Sequence, residues 1–207
     1  MRAALLVTAG AALLAGACAT SHQSARVLAP GKTQVTTALA RTSATEGGLD
    51  EGIWTGDLQV HGGVAPGFEL GGRLVRTPGG GNTGSIASIE GRFQVVPERV
   101  SIALPVGVVW QEELDDFEGG NFFLTPTVFV GTDVSPTMEL IAAPKLFVFI
   151  PDDGDDDTEV EIGGSVGLRI TNEARTWAVH PELGIIQFSE GTDATWITFG
   201  LGISVGN

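Results

Sequence analysis

The chain has 207 residues, 30 of them glycine and none tyrosine, and a formal net charge of −14 at pH 7. That length suits one domain, the acidity and the lack of any basic patch exclude a nucleic-acid surface, and a hydrophobic fraction of 43% excludes disorder. Beyond the N-terminus there is no run of about 18 apolar residues, so no helical membrane span is expected in the mature chain.

The first element is "MRAALLVTAGAALLAGAC": one arginine, an apolar stretch, then small residues ending at Cys18, the single cysteine. This pattern predicts a secretory signal peptide over residues 1–17. A lone cysteine excludes an internal disulfide. "LAGAC" resembles the lipobox of bacterial lipoproteins, with the departure that Ala15 stands three before the cysteine and Leu14 one earlier. The resemblance implies a diacylglycerol on the Cys18 thiol. Ala19, in place of an aspartate, implies sorting to the outer membrane. The plainer alternative is a cleavage site beside an incidental cysteine. Residues 18–31, with "ATSHQSARVLAPG" after the cysteine, are polar and end in Pro-Gly, and they read as an N-terminal tether able to reach about 40 Å if extended.

From Lys32 to Asn207 the sequence shows strand character in ten segments of about ten residues. They cover 32–43, 53–64, 67–76, 85–96, 99–111, 121–132, 137–149, 158–171, 176–188 and 194–206. About ten residues is what a tilted strand needs to cross a bilayer. The connections alternate long and short. Ala65-Pro66, Pro97-Glu98, 133–136 and 172–175 are short, whereas 44–52, 77–84, 112–120, 150–157 and 189–193 are longer. Short turns on one side and long loops on the other is the pattern of outer-membrane barrels, with the short turns periplasmic. The expectation is therefore a periplasmic N-terminus and extracellular long loops.

The long loops hold Glu46, Asp50, Glu51, Glu112, Glu113, Asp115, Asp116, Glu118, Asp152, Asp153, Asp155, Asp156, Asp157, Glu190 and Asp193, and no lysine or arginine. Such a rim stays solvated through repulsion. The functional alternative is a divalent cation, calcium or magnesium, at Asp152, Asp153, Asp155, Asp156 and Asp157. "DDGDDD" lacks the spacing of an EF-hand loop. No other cofactor is signalled.

Within the strands one parity is apolar: Ile89, Phe93 and Val95; Leu70 and Leu74; Ile102, Leu104, Val106 and Val108; Phe199, Leu201, Ile203 and Val205. The other carries Asp57, His61, Glu139, Glu159 and His180 together with Glu69, Arg73, Glu90, Arg92, Lys145, Glu161, Arg169 and Glu182. Burying that charged face in a soluble core while exposing continuous Val, Ile and Leu to water is costly on both counts. Lipid outside and an ion-paired lumen inside costs less. We therefore expect Lys145 near Glu161, and Glu69 and Arg73 across from Arg92 and Glu90.

Two bands of rings are expected. Trp54, Trp110, Phe122, Phe149, Phe188 and Trp196 fall near the outer rim, and Phe68, Phe93 and Trp177 near the other, like the girdles of membrane barrels. Pro105, Pro126, Pro144 and Pro181 lie inside strands, where each removes a ladder donor, so bulges or shorter strands are required.

Residues 32–207 thus resemble a small Gram-negative outer-membrane β-barrel: all-β, antiparallel, up-and-down, about ten strands, with a polar lumen and a lipoprotein-type signal. The resemblance implies contact with outer-membrane lipid and lipopolysaccharide. His61 and His180 lie deep within strands and His22 in the tether, so no outward-facing triad can be assembled, and no phosphate loop, CxxC or HExxH occurs. The chain is not expected to be an enzyme. Three roles stay open: a structural or surface-interaction barrel, a narrow porin-like channel or conduit for a small molecule, and a soluble, lipid-anchored periplasmic β-domain that binds a ligand or envelope protein.

Overall fold

The computed structural model describes residues 19–45, 52–77, 83–113, 116–150, 158–187 and 195–206. Cys18, the signal segment and the aspartates of 152–157 lie outside the described residues, as does Phe188. The strands are β1 (Thr33–Ala44), β2 (Gly52–Ala65), β3 (Phe68–Arg76), β4 (Thr83–Val96), β5 (Val100–Glu113), β6 (Asp116–Leu124), β7 (Thr127–Ser135), β8 (Met138–Ile150), β9 (Glu159–Thr171), β10 (Trp177–Gln187) and β11 (Thr195–Gly206). Nine of the ten expected segments match within a residue or two. The tenth, 121–132, is two strands: β6 and β7 lie end to end between β5 and β8 and part at Thr125-Pro126. All pairings are antiparallel, and β1 pairs with both β2 and β11, so the sheet closes into a ten-position barrel with one strand split.

The prolines show why the ladder breaks where it does. Each lacks one N–H and so weakens pairing toward one neighbour only. The β9–β10 register passes from Val179↔Ile170 to Glu182↔Gly167, skipping His180 and Pro181. The β7–β8 register likewise jumps from Thr127↔Lys145 to Val130↔Ala142, across Pro144. Pro105 faces the break at Thr125-Pro126, where its carbonyl accepts from Thr125 N at 3.0 Å. The bulges expected at the prolines are instead elsewhere, at Gly63/Ala65, Gln94/Val96, Val109/Gln111 and Asp133/Ser135.

Alternation sorts the faces. Outward stand Leu39, Leu58, Leu70, Ile89, Phe199 and Ile203, with Ile89 73% and Phe199 60% exposed. Inward and buried are Asp57, Glu69, Glu90, Arg92, Glu139, Lys145, Glu161, Arg169 and Glu182. Toward the long connections the lumen changes character. Val75, Ile86, Val109, Phe123, Phe147, Phe149 and Ile186 form an apolar layer there, with Trp196 against it. Phe149, expected in the outer girdle, turns inward because it shares the parity of Lys145 and Phe147. Trp54, Phe122, Trp177 and Phe93 do face outward.

The largest departure concerns the N-terminal segment. Residues 19–31, read from the sequence as a tether, form a strap that lies inside the barrel over residues 19–28 and emerges at Ala29, Pro30 and Gly31. Ala19 to Ser24 are buried, and Ala25 is fully so. At the short-turn end the strap joins β2, Gly31 N donating to Gly63 O and Gly63 N to Lys32 O, both at 2.9 Å. At the other end Ala19 packs into the apolar layer. The physical reason is a shortage of donors: on the lumen face acids outnumber bases, and the strap supplies N–H groups and Arg26.

Candidate functional site

The candidate site is the lumen and the strap it holds. A backbone in an enclosed space must find partners for every N–H and C=O, and the strap has no ladder to supply them. Barrel side chains do so instead. Glu182, on β10, accepts from Ser21 N at 2.8 Å and from His22 N at 2.6 Å. His22 adopts φ 50°, an uncommon region for a non-glycine residue, and this turns the two successive N–H groups onto one carboxylate, the geometry of an anion nest. The His22 ring stands 3.5 Å from the same carboxylate.

Lower down, Glu139 accepts from Ser24 Oγ at 2.7 Å and Ala25 N at 3.2 Å, and Glu69 accepts from Leu28 N at 2.7 Å. Gln94 Oε1 accepts from Val27 N at 2.8 Å. Strap carbonyls are met by donors. Arg92 Nη1 donates to Ser24 O at 2.7 Å and Arg92 Nη2 to Arg26 O at 2.9 Å. Gln59 donates to Ser21 O and Arg73 to Thr20 O, each at 3.0 Å, while Lys145 Nζ reaches Ala19 O at 3.3 Å.

Charge pairs knit the wall to itself and to the strap. Glu69 and Arg92 are opposite in the β3–β4 register, with Arg92 Nη2 2.6 Å from Glu69 Oε1. Arg73 pairs with Asp57 at 2.6 Å, while Glu90 lies diagonally from Arg73 and accepts from Gln23 Nε2 at 3.1 Å. Arg169 is opposite Glu139. Lys145 is opposite Gly163, and Glu161 is opposite Phe147, so the two charges are diagonal neighbours. Arg26 of the strap reaches Asp133 at 2.6 Å and Glu139 at 3.3 Å.

Glycines let the strap lie against the wall. A Cβ on Gly184 would meet Ala19 Cβ at 2.7 Å, and one on Gly202 would meet the His22 side chain at 2.9 Å. A lumen cavity lined among others by Ser21, Gln23, Arg73 and Lys145 offers about 20 Å³ and holds little more than a water.

His61, Glu69 and Glu90 each place one ligand atom within 4.8 Å of the others. Arg92 already stands at 2.6 Å from Glu69 in this cluster, so a guanidinium occupies the role a metal ion would have. The cluster is an ion-pair network.

Sequence reasoning had not assigned Ser21, His22, Gln23, Ser24 or Arg26 to the lumen. The available signal was their composition: five consecutive hydrogen-bonding side chains, Thr20 to Ser24, followed by one arginine.

No family model matches the chain, and no curated protein matches it. Barrels are among the solved structures of similar shape. The translocator domain of autotransporter NalP from Neisseria meningitidis covers 99% of this chain and 96% of its own, at 9% identity and TM-score 0.47. A de novo designed transmembrane β-barrel covers 87% of this chain and 98% of its own, at 14% identity and TM-score 0.40. Ail of Yersinia pestis, in complex with the heparin analogue sucrose octasulfate, covers 86% of this chain and 99% of its own, at 13% identity and TM-score 0.38.

Proposed function

We propose that this chain is an outer-membrane β-barrel stoppered by its own N-terminal segment, with a structural or surface-interaction role at its long acidic connections. The observation that carries this is the filled lumen inside an apolar wall. A soluble, lipid-anchored domain would leave Leu39, Ile89 and Phe199 in water at half exposure or more. In a membrane the same wall meets lipid and, at the outer rim, lipopolysaccharide, which the acidic connections would approach through bridging calcium or magnesium. The role is non-enzymatic. The short turns face the periplasm and the long connections the outside.

A second reading, a gated conduit, is favoured by one feature: the strap is held by side chains and a single β2 junction rather than a ladder, so it can leave without breaking the barrel. Planar-bilayer recording separates the two. The stoppered reading expects no steady conductance from the full chain and a stable conductance after deletion of residues 19–27. Steady conductance by the full chain would overturn it in favour of the conduit. Heat-modifiable migration on a gel, checked in both proteins, establishes that the barrel is closed.

A further inference from the structure

The strap has a direction. Gly31 is bonded to β2 beside the short turn at Ala65–Phe68, and from there toward its N-terminus the chain climbs the lumen. Its carboxylate partners record the ascent: Leu28 meets Glu69, Ala25 meets Glu139, and Ser21 and His22 meet Glu182. Ala19 ends among Val75, Ile86, Phe147 and Ile186, residues within a few positions of where the strands give way to the long connections, and beside Phe123, which is opposite Phe149 in the β6–β8 register. Lys145 and Arg73 hold the carbonyls of Ala19 and Thr20 at this height, so the last described residues are fixed there.

From this geometry we infer that the strap carries residue 18, and anything attached to it, to the same side of the barrel as the long connections. On the membrane reading above, on which this rests, that side is the cell exterior. The N-terminal end of the mature chain is then displayed through its own barrel. The inference needs no modification of Cys18. Where the diacylglyceryl group implied by the lipobox resemblance is present, its acyl chains would enter the outer leaflet. A periplasmic anchor would instead require the strap to run the other way or to leave the lumen, giving up the partners that Glu69, Glu139, Glu182 and Arg92 supply.

The test places a short site for a sequence-specific protease at one of three positions in the full chain: between Cys18 and Ala19, after Asp155, or after Glu173. Each variant is accepted only if its heat-modifiable migration is retained. Intact cells are treated with the protease, and cleavage is read by mass. The site ahead of Ala19 is expected to be cut at a rate within a few-fold of the Asp155 site and at least tenfold faster than the Glu173 site. Cleavage that follows the Glu173 site instead overturns the inference. Should the Glu173 site be cut and the Asp155 site be protected, the assumed orientation fails, yet the N-terminal site must still follow Asp155 for the inference to stand. If insertion ahead of Ala19 abolishes the closed form, a cysteine at Thr20 joined by oxidation to one at Gly200, which it touches in the strap-filled lumen, reads the threading directly, in a Cys18→Ser background with His22→Ala to clear the ring that a Gly200 side chain would otherwise meet. No cross-link in the closed barrel overturns it.

Discussion

The two ends of the lumen solve the same problem differently. Near the short turns, charged and amide side chains bond to one another and to the strap, beside a small apolar cluster of Ala25, Ala103, Phe129, Ile141 and Ala143. Near the long connections, Phe123, Phe147, Phe149, Ile86 and Ile186 fill the space by packing. The lower end tolerates an irregular backbone because Glu69, Glu139, Glu182 and Arg92 replace the water it would lose. The upper end packs apolar side chains around Ala19, and only the last strap carbonyls still meet Lys145 and Arg73. A polar plug therefore belongs where donors and acceptors can be matched one by one, and an apolar lid where the strap runs out.

The sharpest way to break this comparison is at Arg92, which binds Glu69, Gln23 and two strap carbonyls. Arg92→Met should lower stability by about 3–5 kcal/mol, since a buried carboxylate is left without its partner. Adding Glu69→Gln should recover part of the loss, as measured by denaturant titration of the purified barrel. At the apolar end, Phe147→Ala should cost about 3 kcal/mol through the cavity it leaves, without loosening the strap's polar contacts. Proteolysis within residues 19–27 should thus rise for Arg92→Met and stay low for Phe147→Ala. Equal rises would mean that the two ends act as one unit.

Smaller effects sharpen the picture. Glu182→Gln keeps one acceptor of the nest and should cost about 1–2 kcal/mol, read as a lower temperature for the gel-mobility transition. Lys145→Met removes a bond to Ala19 O and should cost about 1 kcal/mol, partly restored by Glu161→Gln across the diagonal. The smallest effect is expected at the rim. Asp133, about half exposed, pairs with Arg26 in contact with solvent, so Asp133→Asn should cost about 0.5 kcal/mol and less in high salt.

Much of the barrel was readable before any coordinates. A period of two with charges on one parity places Glu69 and Arg92 on one face and Ile89 and Phe93 on the other, because a strand has only two faces and the cost of reversing them is large on both. The long and short connections followed from glycine, proline and aspartate at the turns. The split of β6 from β7 was not readable. Pro126 announced a lost donor, but whether a proline bulges a strand, opens a gap or ends it depends on which neighbour its missing N–H would have faced. Phe149 misled for a related reason: an aromatic near a strand end suits a girdle or a lid, and only its register with Lys145 decides.

What the sequence by itself determined is therefore the local and periodic part: strand lengths, the side each residue takes, and the acidity of the long connections. Pairing partners two or three positions apart on adjacent strands followed from these. The strap was decided by tertiary structure alone. "ATSHQSARVLAPG" has no period, and an extended polar segment is equally at ease in water. Its place inside became favourable only once ten strand positions closed around a lumen with more acceptors than donors, and that surplus exists in the assembled ring and in no single strand.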